Sequence, residues 1–202
     1  MENYTPDFIS VINSILLLID YQEKKLEEVR SADQSEIVNA AVSTARAAGF
    51  LNVPVIITSN GPEFGHYINE ITDIFPGKEV IRRSSPGNDA LHDERVSRLL
   101  RRYGRSKIVM AGLWTSDSLI ETAVHSIKSG FDVFVLIDGC GDISHERHNH
   151  GVHRLLKAGV TPITWMSLAS EWMNGWVDPG ETEFSEENFG KYNMMLSYLA
   201  KH

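Results

Sequence analysis

Five short, continuous apolar runs, separated by stretches with helical periodicity, are the feature that most limits what this chain can fold into. The first, Ser14-Ile15-Leu16-Leu17-Leu18-Ile19, ends at a carboxylate, Asp20. The others are Val53-Pro54-Val55-Ile56-Ile57-Thr58, Lys107-Ile108-Val109-Met110-Ala111-Gly112, Asp132-Val133-Phe134-Val135-Leu136-Ile137-Asp138 and Val160-Thr161-Pro162-Ile163-Thr164-Trp165. Runs of this kind do not alternate polar with apolar, so strands made from them need cover on both faces, as in a parallel sheet. A weaker run, Glu79-Val80-Ile81-Arg82, follows Pro76-Gly77 and supplies a sixth strand.

The gaps read as helices. Ser35 to Gly49 opens on a capping residue and closes on Gly, and Ala90 to Tyr103 places Val96, Leu99 and Leu100 on one face before Gly104. Thr115 to Gly130 repeats the pattern with Leu119, Ile120, Ala123 and Ile127, and Gly151 to Gly159 gives a shorter example. Strands alternating with helices predict an α/β chain, a three-layer Rossmann-like fold with a six-stranded parallel sheet in the common order 3-2-1-4-5-6. No linker or repeat interrupts it, so residues 1-176 read as one domain and 177-202 as an acidic C-terminal arm. Asp178, Glu181, Glu183, Glu186 and Glu187 lie in that arm, which is expected to dock on the domain or on a neighbouring subunit.

Composition narrows the function classes. With 19 Lys+Arg against 27 Asp+Glu the chain carries a formal charge of −8, which argues against nucleic acid or an anionic membrane as partner. One cysteine in 202 residues cannot form an intrachain disulfide. The apolar stretch Phe8 to Ile19 is too short to span a bilayer and is preceded by Glu2 and Asp7. A soluble cytoplasmic protein is the expectation, and no dinucleotide or phosphate-loop pattern implies a cofactor.

In an open doubly wound sheet, ligands bind beyond the carboxyl ends of the strands where strand order reverses, here between the first and fourth strands. Asp20 and Leu113-Trp114-Thr115-Ser116-Asp117-Ser118 are delivered there. A carboxylate would then face a hydroxyl-rich helix start whose free N–H groups stabilise negative charge. The same residues also suit plainer roles: Asp20 as a strand-end turn residue, Thr115 and Ser116 as N-caps with Asp117 complementing the dipole.

Several segments together carry a family resemblance. Leu16-Leu17-Leu18-Ile19-Asp20-Tyr21-Gln22, Ala111-Gly112-Leu113-Trp114-Thr115, Gly130 to Asp138, and Ala158-Gly159-Val160 leading to Thr164-Trp165 resemble the isochorismatase-like superfamily of cysteine hydrolases, most closely its YcaC-like branch. The resemblance runs from about Ser14 to Trp176. It implies a homo-oligomer and an Asp, Lys and Cys triad in which the thiol attacks an amide-type carbon, the Asp takes its proton and the basic residue polarises the pair. Asp20 matches the Asp, and Arg83, or less well Arg82, stands at the Lys position. The resemblance also implies a cis Leu113–Trp114 peptide and an oxyanion site built from the N–H groups of Trp114 to Ser118. Gln22, Trp114, Thr115, Asp117 and Phe64 complete the expected binding surface, with Phe64 and Trp114 as apolar walls.

The departure lies at the nucleophile. The family's Thr-Glu-x-Cys becomes Thr115-Ser116-Asp117-Ser118, so Ser118 takes the cysteine's place, while the only thiol, Cys140, follows the fifth strand and reads as inert. A thiol with a pKa of about 8.5 can be lowered to thiolate by a cation and a helix start, whereas a serine needs a base during attack. Three explanations stand open: an engineered Cys-to-Ser replacement, a natural enzyme that does without a covalent intermediate and uses Asp20 as an acid in vinyl-ether-type cleavage, or a protein that only binds.

Other constellations carry less. His145-Glu146-Arg147-His148-Asn149-His150-Gly151-Val152-His153 could offer a metal two ligands on one helical face, yet a polar loop over the pocket mouth or a subunit contact is the plainer reading. Metal-dependent relatives carry Asp-x-His after the second strand, where this chain has Ser59-Asn60-Gly61-Pro62-Glu63, so no metal is expected. Arg98, Arg101, Arg102, Arg105 and Lys107 read as a solvated face, and Trp165, Trp172, Trp176, Met166 and Met173 as core or subunit interface.

Overall fold

A computed structural model describes residues 8–83 and 87–174. The proposed arm, 177-202, lies outside them, as does Trp176. Six strands, β1 (Ser14–Ile19), β2 (Val55–Ser59), β3 (Val80–Arg82), β4 (Lys107–Gly112), β5 (Asp132–Leu136) and β6 (Thr161–Ile163), form one parallel sheet in the order β3-β2-β1-β4-β5-β6. The reversal point therefore lies between β1 and β4, where Ile19 pairs with Gly112.

Alternation along β1 shows why its run is continuously apolar. Leu16 and Leu18 point into one core with Val55, Ile57, Val109 and Ala111, whereas Ile15, Leu17 and Ile19 point into the other with Ile56, Ile108 and Met110. Helices α2 (Gln34–Phe50) and α7 (Trp165–Asn174) cover the first face; α4 (Glu94–Tyr103) and α5 (Ile120–Lys128) cover the second. A central parallel strand with both sides dry has no polar position to reveal. No helix among the described residues is long and apolar enough to cross a membrane.

Several boundaries differ from the sequence reading, each for a local reason. The helix expected from Ala90 splits, because Asp93 adopts an extended conformation and accepts from Arg95 N, so a short turn precedes the cap and α4 begins at Glu94. The helix expected from Thr115 starts with a wide turn over Thr115–Leu119, broken by the non-helical backbone of Asp117. The histidine-rich segment is a helix and not a loop: α6 runs His145–Lys157, capped by the Ser144 side chain, which accepts from Arg147 N. Gly151 sits inside it because α6 crosses the Thr115 turn closely; a Cβ there would come within 2.9 Å of Ser116 N and 3.0 Å of Ser116 Cα. Trp172 is fully buried and Met173 buried, so the core reading holds for them, while Met166 is exposed. Two short helices, α1 (Glu23–Glu27) and α3 (Asn69–Thr72), had no periodic signal long enough to read.

Candidate active site

The β1 run ends at Asp20, whose backbone takes the left-handed conformation (φ 58°) that Asp tolerates better than most residues. That twist turns a wholly buried carboxylate back into the sheet's carboxyl edge, while its N–H still donates to Thr58 O at 2.9 Å. Four donors converge on it. Arg83, arriving just past β3, makes a bidentate pair at 2.6 Å to Oδ1 and 2.8 Å to Oδ2, and also donates to Thr58 Oγ1 at 3.0 Å. Ser118 Oγ donates to Asp20 Oδ2 at 2.7 Å. Lys25 Nζ donates to the same oxygen at 2.9 Å and lies 3.4 Å from both Ser118 Oγ and the Leu113 carbonyl.

Lys25 is absent from the sequence reading, and no spacing rule singles it out. It sits in a polar tract beside Lys24, an exposed residue whose Nζ donates to Glu63 O, but α1 points its chain inward. Its side chain is fully buried, with Nζ 4.8 Å from the Phe64 ring centroid and 5.0 Å from that of Trp114. Phe64 and Trp114 pack edge to face at 6.0 Å and 88°, and Trp114 Nε1 donates to the Lys25 carbonyl. The two expected walls thus meet over the ammonium group, which exploits their negative ring faces.

The Leu113–Trp114 peptide is cis. Of the N–H groups that follow, Thr115 donates to Gly141 O at 3.0 Å, Ser116 to Asp142 Oδ2 at 2.8 Å and Asp117 to Trp114 O at 3.1 Å. Those three are occupied by the fold, which removes Thr115, Ser116 and Asp117 from the expected oxyanion run. The Thr115 hydroxyl is likewise structural, 3.2 Å from Gly141 O and 2.9 Å from His148 Nδ1. Burial holds His148 below the ordinary histidine range, which suits a neutral partner for that hydroxyl.

Gln22, expected at the binding surface, has its amide engaged with backbone: it donates to Gly61 O and Gly65 O and accepts from Asn60 N. It fastens the loop after β2, and with it Phe64, against the site. The Asp117 carboxylate accepts from Asn88 Nδ2 and so links the Thr115 turn to the segment that follows β3. Among the described residues, two buried polar atoms have no hydrogen-bond partner, Tyr67 OH and Arg83 Nε. The phenol is pushed well above its ordinary range by burial, then by the Asp20 charge, which places it in the field of the site.

Cys140 is 2% exposed on the far side of β4, and its thiol is pushed up to about 12, chiefly by burial. Its Sγ donates to Leu136 O at 3.0 Å. The folded protein is accordingly expected to leave Cys140 unmodified by a thiol reagent at neutral pH and to react once unfolded. Fast labelling of the native chain, read by intact mass, would contradict this.

Residues 14–167 match the isochorismatase domain family. Over 193 residues, 92% of this chain and 91% of the relative, the sequence is 30% identical to the probable hydrolase YcaC of Escherichia coli. YcaC from Pseudomonas aeruginosa, in a structure with hexane-2,5-diol and covalent acrylamide, superposes with a TM-score of 0.83 at 25% identity, covering 98% of this chain and 96% of that one. The E. coli YcaC structure, described as an octameric hydrolase of unknown specificity, gives 0.82 at 22% identity over 98% and 99% of the two chains. With the fold and the strand order in agreement with that similarity, the chain belongs to the isochorismatase-like superfamily of hydrolases, in its YcaC-like branch.

Proposed function

We propose that the protein hydrolyses a small-molecule amide or a related C–N or C–O bond, with Ser118 as nucleophile and Asp20 as its base. The observation that carries this is the 2.7 Å hydrogen bond from Ser118 Oγ to a carboxylate clamped by two buried cations. In the proposed step Ser118 Oγ bonds to the carbonyl carbon while its proton passes to Asp20. Trp114 and Ser118 N–H groups take the developing oxyanion. The amine or alcohol then leaves with the proton from Asp20, and water releases the acyl group from Ser118. Arg83 fixes the orientation of Asp20, and Lys25 stabilises negative charge at Ser118 Oγ from 3.4 Å. Arg83 Nε, buried without a hydrogen-bond partner, is a side-chain donor that a substrate carbonyl would satisfy in this reading.

The acid-catalysed alternative is less well supported. Both oxygens of Asp20 are engaged by Arg83, Lys25 and Ser118, and the Ser118 hydroxyl stands as the group that would attack. The protein is also proposed to assemble as a homo-oligomer, as the E. coli YcaC structure does; Phe8 and Ile12, 67% and 77% exposed, are apolar side chains that a subunit contact would cover.

Incubation with a panel of small amides and esters, followed by intact mass and peptide mapping, tests the reading. An acyl adduct on Ser118 is expected, and turnover retained by Ser118→Ala would refute it. Lys25→Met separates chemistry from folding. Asp20 keeps its Arg83 partner, so the loss of stability should be smaller than that of Asp20→Asn, while acylation should fall on the order of 100-fold. Unchanged acylation would remove Lys25 from the mechanism.

A further inference from the structure

Away from Asp20, the structure gathers a second set of groups from distant parts of the chain. Asp89, a buried residue, caps the turn Ala90–His92, with Oδ1 accepting from Leu91 N at 2.9 Å. Its other oxygen, Oδ2, faces two histidines. His125 Nδ1, from α5, lies 2.7 Å away, and His92 Nε2 lies 3.6 Å away. The two imidazoles are 5.3 Å apart between centroids, and one ligand atom from each of the three residues lies within 4.8 Å of the others.

We infer that Asp89, His92 and His125 form a binding site for a borderline transition-metal ion such as Zn²⁺. Two nitrogens and one carboxylate oxygen are the donor set such ions prefer over Mg²⁺ or Ca²⁺, which take oxygen ligands. Ligands about 2.1 Å from a tetrahedral ion are about 3.4 Å apart. The 2.7 Å pair must open and the 3.6 Å pair close slightly, movements within reach of side chains that are 37% exposed for His125 and 61% exposed for His92. Solvent would complete the coordination. The carboxylate is already oriented by its second oxygen, which donors beyond the ligands commonly do at metal sites.

The location gives the site a consequence. Asn88, which holds Asp117, immediately precedes Asp89, and Ala90 N donates to Thr122 Oγ1 on α5 at 2.9 Å. A bound ion would therefore pin the segment after β3 to the helix that follows Ser118. This assignment does not depend on the proposed hydrolysis.

The test is calorimetric titration of chelator-treated full-length protein with Zn²⁺, with Mg²⁺ in parallel and thermal unfolding as a second readout. One Zn²⁺ per chain is expected to bind with micromolar or tighter affinity and to raise Tm, with no response to Mg²⁺. His92→Ala, which changes a mostly exposed side chain, should keep the fold and weaken Zn²⁺ at least about tenfold. His125→Ala should do the same. The double variant His150→Ala/His153→Ala on α6 should bind as the parent does. Absence of Zn²⁺ binding in the parent would overturn the assignment, as would binding that survives His92→Ala but is lost in the α6 double variant.

Discussion

Replacing Ser118 by Cys is expected to convert this site into a fast covalent one, raising the rate of acylation or alkylation on the order of 100-fold over the parent. The physical reason lies in what surrounds Oγ. Lys25 Nζ is 3.4 Å away, Arg83 binds the shared carboxylate, and the side chain is fully buried at a helix start. A hydroxyl cannot use that field before attack, because it is not anionic near neutral pH; a thiol with an ordinary pKa of about 8.5 can. Stopped alkylation with acrylamide across a pH series reads the result. The native Cys140 adds no background, since burial pushes its thiol up to about 12. The introduced thiol should titrate below the ordinary cysteine value, and reactivity no greater than that of a free cysteine would show that the two cations do not act on position 118. If Lys25→Met is added to Ser118→Cys, most of the gain should be lost.

Asp20→Asn is expected to cost about 3–5 kcal/mol of stability and to abolish turnover. The backbone is not the cause, since Asn tolerates φ 58° as readily as Asp. The loss comes from leaving Lys25 and Arg83 buried without their common counter-charge, each with a side chain at most 1% exposed. An Asn amide would also turn an N–H₂ toward groups that only donate. At this chain length the change corresponds to a fall in Tm of roughly 10–15 °C in thermal denaturation. A shift below about 2 °C would mean that the cluster contributes little. Adding Lys25→Met to Asp20→Asn should recover part of the stability, because one unpaired cation is then gone; the double-mutant cycle measures that coupling directly.

The site was unevenly legible. Asp20 closes a strand and Ser118 lies at a fixed distance from the fourth strand, so both follow from pattern and family resemblance. Arg83 was readable as the cation for the same reason, and the structure places its guanidinium on Asp20. Lys25 was not. Its neighbour Lys24 is exposed and identical in type, and the helix that decides between them is only five residues long. The binding roles read for Thr115 and Gln22 rested on their place in the motif. Their polar atoms meet Gly141, His148 and the loop after β2, contacts that depend on segments far away in sequence. His92 and His125 gave no motif because ligands on different elements have no characteristic spacing.

The sequence by itself determined the sheet. Runs such as Ser14–Ile19 can be dry on both faces only when parallel neighbours and two helix layers cover them, so strand identity and layer count follow from local composition. Tertiary structure alone decided which polar side chains enter the site. Whether Lys25 faces solvent or Asp20, and whether Gly151 starts a helix or lets one pass Ser116, depends on contacts between segments about 90 and 35 residues apart. Such contacts leave no periodic trace, because a buried charge is stabilised by its partner's position and not by its sequence neighbours.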